Sequence, residues 1–180
     1  VVFAPSEVTE YYKNFTSRKW VVNLTSSLTS NFKRKSVRYR RLKRVPGSGT
    51  RCPDDNAFEH KVWSKQNQHI DIYPEDAIIS SRLTGVNELC AIVSKKQLKD
   101  LIYVGVHLNF CILYRPFGLI RMSAVLKPLF SKSNFYVLLD LTDAFYFETV
   151  EHKQIYGYSV ILNNTALFSN LCRSSDLFFT

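Results

Sequence analysis

Two uninterrupted apolar runs, LIYVGV (101–106) and FYVLLDL (135–141), constrain this chain more than any other feature. Each is short, rich in branched and aromatic residues, and bounded by charged or turn residues, as expected of a parallel strand covered on both faces. Before the first run, Val86, Leu89, Ile92, Val93 and Leu98 recur at amphipathic helical spacing, and Lys99-Asp100 end the pattern. Between the runs, Asn109 to Phe130 is compatible with a helix whose early part is broken by Pro116 and Gly118. Helix, strand, helix, strand contains a βαβ unit, so the predicted fold class is α/β, an open and mostly parallel sheet with helices on both faces. In such sheets ligands bind beyond the carboxyl ends of the strands, which directs attention to residues 107–115 and 142–146.

The rest of the chain is less regular. Residues 1–4 read as the end of a strand, and Ser6 followed by Thr9-Glu10 predicts a short capped helix through about Asn14. Residues 15–60 show little periodicity, IDIY (70–73) alternates like a short strand, and PEDAII reads as a turn. A length of 180 residues with 46% apolar content suits one domain spanning 1–180. Of the net charge of +9, eight basic residues fall within positions 33–44, which carry no acid. Such a block can bind nucleic acid through phosphate contacts, but Tyr39 is its only aromatic residue, and the weightier reading of 33–56 is a basic, flexible loop. No run approaches the ~20 apolar residues of a bilayer span and no leader is visible, so the expectation is a cytoplasmic protein without a membrane partner.

Cys52, Cys90, Cys111 and Cys172 are widely scattered and the histidines lack ligand spacing, which predicts reduced thiols, no protein-built metal site and no cofactor. Only Cys111 combines the end of a predicted strand with the start of a predicted helix, where the helix dipole and unpaired N–H groups favour a thiolate. The plainer reading is a small buried hydrophobe. His107, two positions after Gly105, either polarises a substrate or holds the turn. Arg115 and Asp143 lie on neighbouring strand-end segments and could pair across a pocket rim, whereas Asp140 and Asp143 in DLTD are read as turn-capping residues.

VGVHLNFCILYRPFGLIRM (104–122), followed by VLLDLTDAFY (137–146), resembles the isochorismatase-like cysteine hydrolases, the nicotinamidase-related family. Within that family it resembles a branch whose nucleophile segment reads G-V-H-T-N-M-C-V-L-x-R-P-F-G. VVFAPSEVTEYYK, WSKQNQHIDIYPEDAIIS and LCRSSDLFF are similar to further segments of that branch, in the same order. The resemblance implies a three-layer αβα sandwich of Rossmann-like character and a Cys–Asp–Lys site acting on a small amide-like substrate, in a protein that commonly self-associates. It makes Cys111 the nucleophile and Lys65, or else Lys61, the site lysine. It gives the backbone N–H groups of Cys111 and Leu108 an oxyanion role, with a cis peptide often found near Val106-His107, and places His107, Asn109, Arg115 and Asp143 around the pocket. The family's Asp lies at the end of its first strand, upstream of the segment matching VVFAP, so no residue here is assigned to it and the domain is expected to be incomplete at its amino terminus. Leu108 replaces a Thr of the branch. A chain without that Asp could be a pseudoenzyme, and the alternative reading is a non-catalytic domain that binds a partner or nucleic acid through 33–44.

Overall fold

The computed structural model describes residues 1–5, 8–27, 69–126, 134–144 and 153–177, with side chains of the last segment from 159 onward. The fold is mixed helix and strand with parallel sheets. The chain forms two compact units, one ending at Leu98 and the other running on from Lys99.

In the first unit, β1 (Val2–Phe3) pairs in parallel with β2 (Ala77–Ile78). The ladder extends through bonds donated by Ala77 N to Val1 O (2.8 Å) and by Ile79 N to Phe3 O (2.9 Å). The strand expected at IDIY lies instead at Ala77–Ile78. Ile70, Asp71 and Tyr73 are exposed, and the Tyr73 N–H donates to Asp76 Oδ2 (2.8 Å), which bends the chain into a turn just before Ala77. Ala77 and Ile78 are fully buried, and that burial outweighs the alternation of 70–73.

The capped helix expected from Ser6 is a single 3₁₀ turn, Thr9–Tyr12, with no side-chain cap; Ser6 lies outside the described residues. Helix α1 (Thr16–Ser27) occupies part of the stretch expected to be irregular. Its inner face is narrow, since only Ser17 and Val21 are buried, one helical turn apart. It is secured by polar contacts instead: Trp20 Nε1 donates to Asp76 O (2.6 Å), and Arg18 donates to Ile78 O (3.0 Å) and to both oxygens of Glu88 (2.7 and 3.0 Å). Glu88 stands on α2 (Thr84–Lys96), the amphipathic helix anticipated from 86–98, whose buried face includes Val86, Leu89, Cys90 and Val93.

In the second unit, β3 (Asp100–His107), β4 (Asn134–Asp143) and β5 (Asn170–Cys172) form a parallel sheet in that order. Both apolar runs are therefore parallel strands, but the cover on both faces expected of them is not found for β3, whose Ile102, Val104 and Val106 are exposed. The β3–β4 ladder is regular from Asp100↔Asn134 to Tyr103↔Val137, then slips, because β3 advances from 103 to 105 while β4 advances from 137 to 142. Helix α3 (Leu119–Leu126) crosses between the strands, and α4 (Lys153–Ala166) leads into β5. The core of this unit includes Leu108, Leu113, Leu119, Met122, Leu126, Val137 and Ile161.

Candidate active site

β3 delivers its last residue, His107, in extended conformation (φ −123°, ψ 110°), and the chain turns at once into a π-helical turn, Leu108–Ile112. Leu108, Asn109, Phe110 and Ile112 are all buried there, and Cys111 alone is half-exposed. The turn packs on the strand it leaves: a Cβ on Gly105 would stand 2.7 Å from Ile112 Cδ1, the outer end of that side chain. The His107 ring meets the Phe110 ring edge-on, with centroids 6.0 Å apart.

The break expected early in 109–130 falls close behind Cys111. The π-helical turn is followed by two helical residues and then by a bend at 115–118, after which α3 begins. Pro116 and Gly118 cause the break, and Gly118 is held so closely that a Cβ would lie 2.7 to 2.9 Å from the carbonyl oxygens of Ile112, Arg115 and Leu113. The Tyr103 hydroxyl donates to Phe117 O (2.9 Å), so a β3 side chain pins the bend. Cys111 is thus the fourth residue of a five-residue turn and has no extended helix dipole behind it. The cis bond implied near Val106-His107 is also not found, every described peptide bond being trans. A cis bond between non-proline residues is disfavoured by ~3 kcal/mol, and the extended His107 enters the π-helical turn without one.

Residues expected at the pocket divide into three groups. His107, Leu108, Asn109 and Cys111 share one strand end and turn, and the half-exposed Arg115 follows, its N–H reaching Cys111 O at 3.4 Å. Asp143 closes β4 in register with His107 and accepts the Ala144 N–H on Oδ1 (2.7 Å), the capping role its sequence context predicts. Lys65, Lys61 and Cys52 lie outside the described residues, as does the basic block 33–44.

An open cleft of about 780 Å³ lies where the β3–β4 ladder slips, lined by Val104–Val106 and Leu139–Asp143. Asp143 lines it and Cys111 does not. Asp140 binds Ser174 twice, accepting its N–H at 2.9 Å and also its hydroxyl. The Ser174 hydroxyl, then the Ser174 N–H, hold the Asp140 carboxyl below the usual carboxylate range. Thr142, between the two acids, is buried with a hydroxyl that has no partner among the described residues. Sequence reading passes over it, because nothing in DLTD distinguishes a bonded hydroxyl from an orphaned one.

The remaining described thiols differ from Cys111 in their surroundings. Cys90 is completely buried and desolvation pushes its thiol up to about 12. The Cys172 thiol lies against Val137 O (3.6 Å) and is also raised, first by desolvation and then by the charges of Asp176 and Asp140. All three are reduced thiols, and no cluster of three metal-ligating side chains occurs among the described residues. Comparison of the chain with protein-family models, with curated proteins and with solved structures finds no match.

Proposed function

We propose that this chain is an isochorismatase-like cysteine hydrolase, built on a three-layer αβα sandwich of Rossmann-like character, in which the Cys111 thiol attacks the carbonyl carbon of a small amide-like substrate. One observation carries the reading: in the turn that leaves the carboxyl end of parallel strand β3, every residue is buried except Cys111. A turn kept only for packing has no need to present a thiol, whereas a nucleophile must meet its substrate. The sequence resemblance spanning 104–122 points to the same residue.

In the reaction the sulfur–carbon bond forms as the carbonyl becomes an oxyanion, the carbon–nitrogen bond then breaks, and the amine leaves with a proton. Water hydrolyses the resulting thioester and restores the thiol. The N–H groups of Cys111 and Leu108 are the proposed oxyanion donors, Lys65 or Lys61 supports the charge, and His107, Asn109, Arg115 and Asp143 shape the rim. The proton carrier that the family supplies as an Asp is assigned to no residue of this sequence.

The test is release of amine or ammonia from a panel of small carboxamides by the chain and by Cys111→Ala. Turnover by the parent chain, lost in Cys111→Ala with an unchanged melting temperature, is the expected result. Equal turnover by both removes Cys111 from the mechanism. If no amide is turned over and the chain instead binds RNA or DNA with strong salt dependence, lost on neutralising 33–44, the rival reading of a non-catalytic binding domain replaces this one.

A further inference from the structure

We infer that Tyr103 is a positioning residue for Cys111, its hydroxyl holding the bend that fixes where the thiol-bearing turn lies on β3. The inference rests on the reading of Cys111 as the nucleophile and adds the group that keeps the thiol in place. Tyr103, Gly105 and His107 alternate along β3 and share one face of the strand. The turn is laid on that face, because Ile112 reaches Gly105 and the His107 ring meets Phe110. Beneath Tyr103 lies the buried Phe135 of β4, its ring tilted by 40° with centroids 6.4 Å apart. The phenol is thereby supported from the neighbouring strand, and its hydroxyl donates to Phe117 O at 2.9 Å.

That bond restrains the exit from the turn. The Arg115 N–H reaches Cys111 O only at 3.4 Å, while the Gly118 N–H donates to Arg115 O at 2.7 Å. The short contact thus closes the bend on itself, and the long one leaves its link to Cys111 weak. The contact of Ile112 with Gly105 is apolar and made by the outer end of a side chain, so it sets an approach and not a direction. A hydrogen bond is directional, and the one from Tyr103 orients the bend against the strand. Its net contribution to stability is modest, whereas misplacing a reacting group by about 1 Å can slow a reaction by about 100-fold. The hydroxyl should therefore matter more to rate than to folding.

Tyr103→Phe keeps the ring and removes only the hydroxyl. The control is Asn134→Ala, which removes the Asn134 Nδ2 bond to Asp100 Oδ1 (2.8 Å) at the other end of the same two strands. Amide turnover, melting temperature and amide hydrogen exchange are measured for the parent chain and both variants. In Tyr103→Phe, kcat should fall at least about tenfold with KM little changed, as expected when only the placement of the nucleophile suffers. Exchange should quicken over 111–118 and stay as it is over 134–143, with a small drop in melting temperature. Asn134→Ala should keep the parent kcat. Parent kcat in Tyr103→Phe, an equal loss in Asn134→Ala, a rise in KM alone, or unchanged exchange over 111–118 would each overturn the inference while the hydrolase reading stands. No turnover by the parent chain would instead overturn that reading, and this inference with it.

Discussion

Cys90 and Cys111 show how burial divides chemically identical side chains. On α2 the Cys90 thiol is sealed in the core, whereas the π-helical turn leaves Cys111 half-exposed. The sequence already sets them apart, because Cys90 falls on the apolar face of a periodic helix and Cys111 stands four residues beyond the end of a strand. It does not foresee the π-helical turn, whose geometry is set by contact: Ile112 closes against Gly105, and the bend at 115–118 depends on Gly118. A methyl group at Gly118 meets three backbone carbonyl oxygens that cannot rotate aside. Gly118→Ala should therefore destabilise the chain by ~2 kcal/mol, in line with other overpacked sites, as read from chemical denaturation. A variant as stable as the parent would show that the bend is looser than its geometry implies.

Elements follow the sequence where apolar pattern decides them and depart from it where polar contacts do. Strands β3 and β4 are legible from their uninterrupted apolar runs, and helix α2 from the regular face that it buries. Helix α1 is not, since Ser17 and Val21 alone are buried and its docking rests on the Arg18–Glu88 pair, seventy positions apart in sequence. That pair is well buried, with side-chain exposures of 14% and 6%, and Glu88 also accepts the Ser80 N–H (2.7 Å). Glu88→Ala leaves Arg18 uncompensated in the interior and should cost ~3 kcal/mol or more, whereas Arg18→Met with Glu88→Leu should recover much of the loss. A single substitution without effect would show that the pair is solvated. The β4 contact to the 3₁₀ turn Ser174–Leu177 is electrostatic and exposed, with Asp140 held below the usual carboxylate range by Ser174. A carboxyl lowered in the folded state stabilises above its unfolded value of ~3.9 and loses that contribution as pH falls through the folded value. The stability difference between the parent and Asp140→Asn should accordingly shrink on acidification, and a difference independent of pH would remove Ser174 as its source.

At the scale of the molecule, the parallel strands among the described residues fall into two sheets, β1–β2 and β3–β4–β5. α/β character is legible from the alternation of helix and apolar run, but this grouping is not, because strand pairing is decided by contacts distant in sequence. The strand at Ala77–Ile78 is an example: two residues long, it is defined by its pairing with Val2–Phe3 and has no alternation to read. No helix among the described residues is long and apolar enough to cross a membrane. The candidate site was legible in part. The turn bearing Cys111 and the register of His107 with Asp143 lie at the strand ends that the topology rule indicates, whereas the cleft arises from a ladder slip that no local pattern encodes.

The central claim is that β3 and its turn present Cys111 as the reactive thiol, and iodoacetamide labelling of the folded chain at neutral pH, read thiol by thiol by peptide mass analysis, tests it most directly. Of the three described thiols Cys111 should be modified first, ahead of Cys172, whose thiol is raised by desolvation and by Asp176 and Asp140, and far ahead of Cys90, sealed and pushed up to about 12. Labelling of Cys111 no faster than that of Cys90 would contradict the account and make the π-helical turn a packing feature alone.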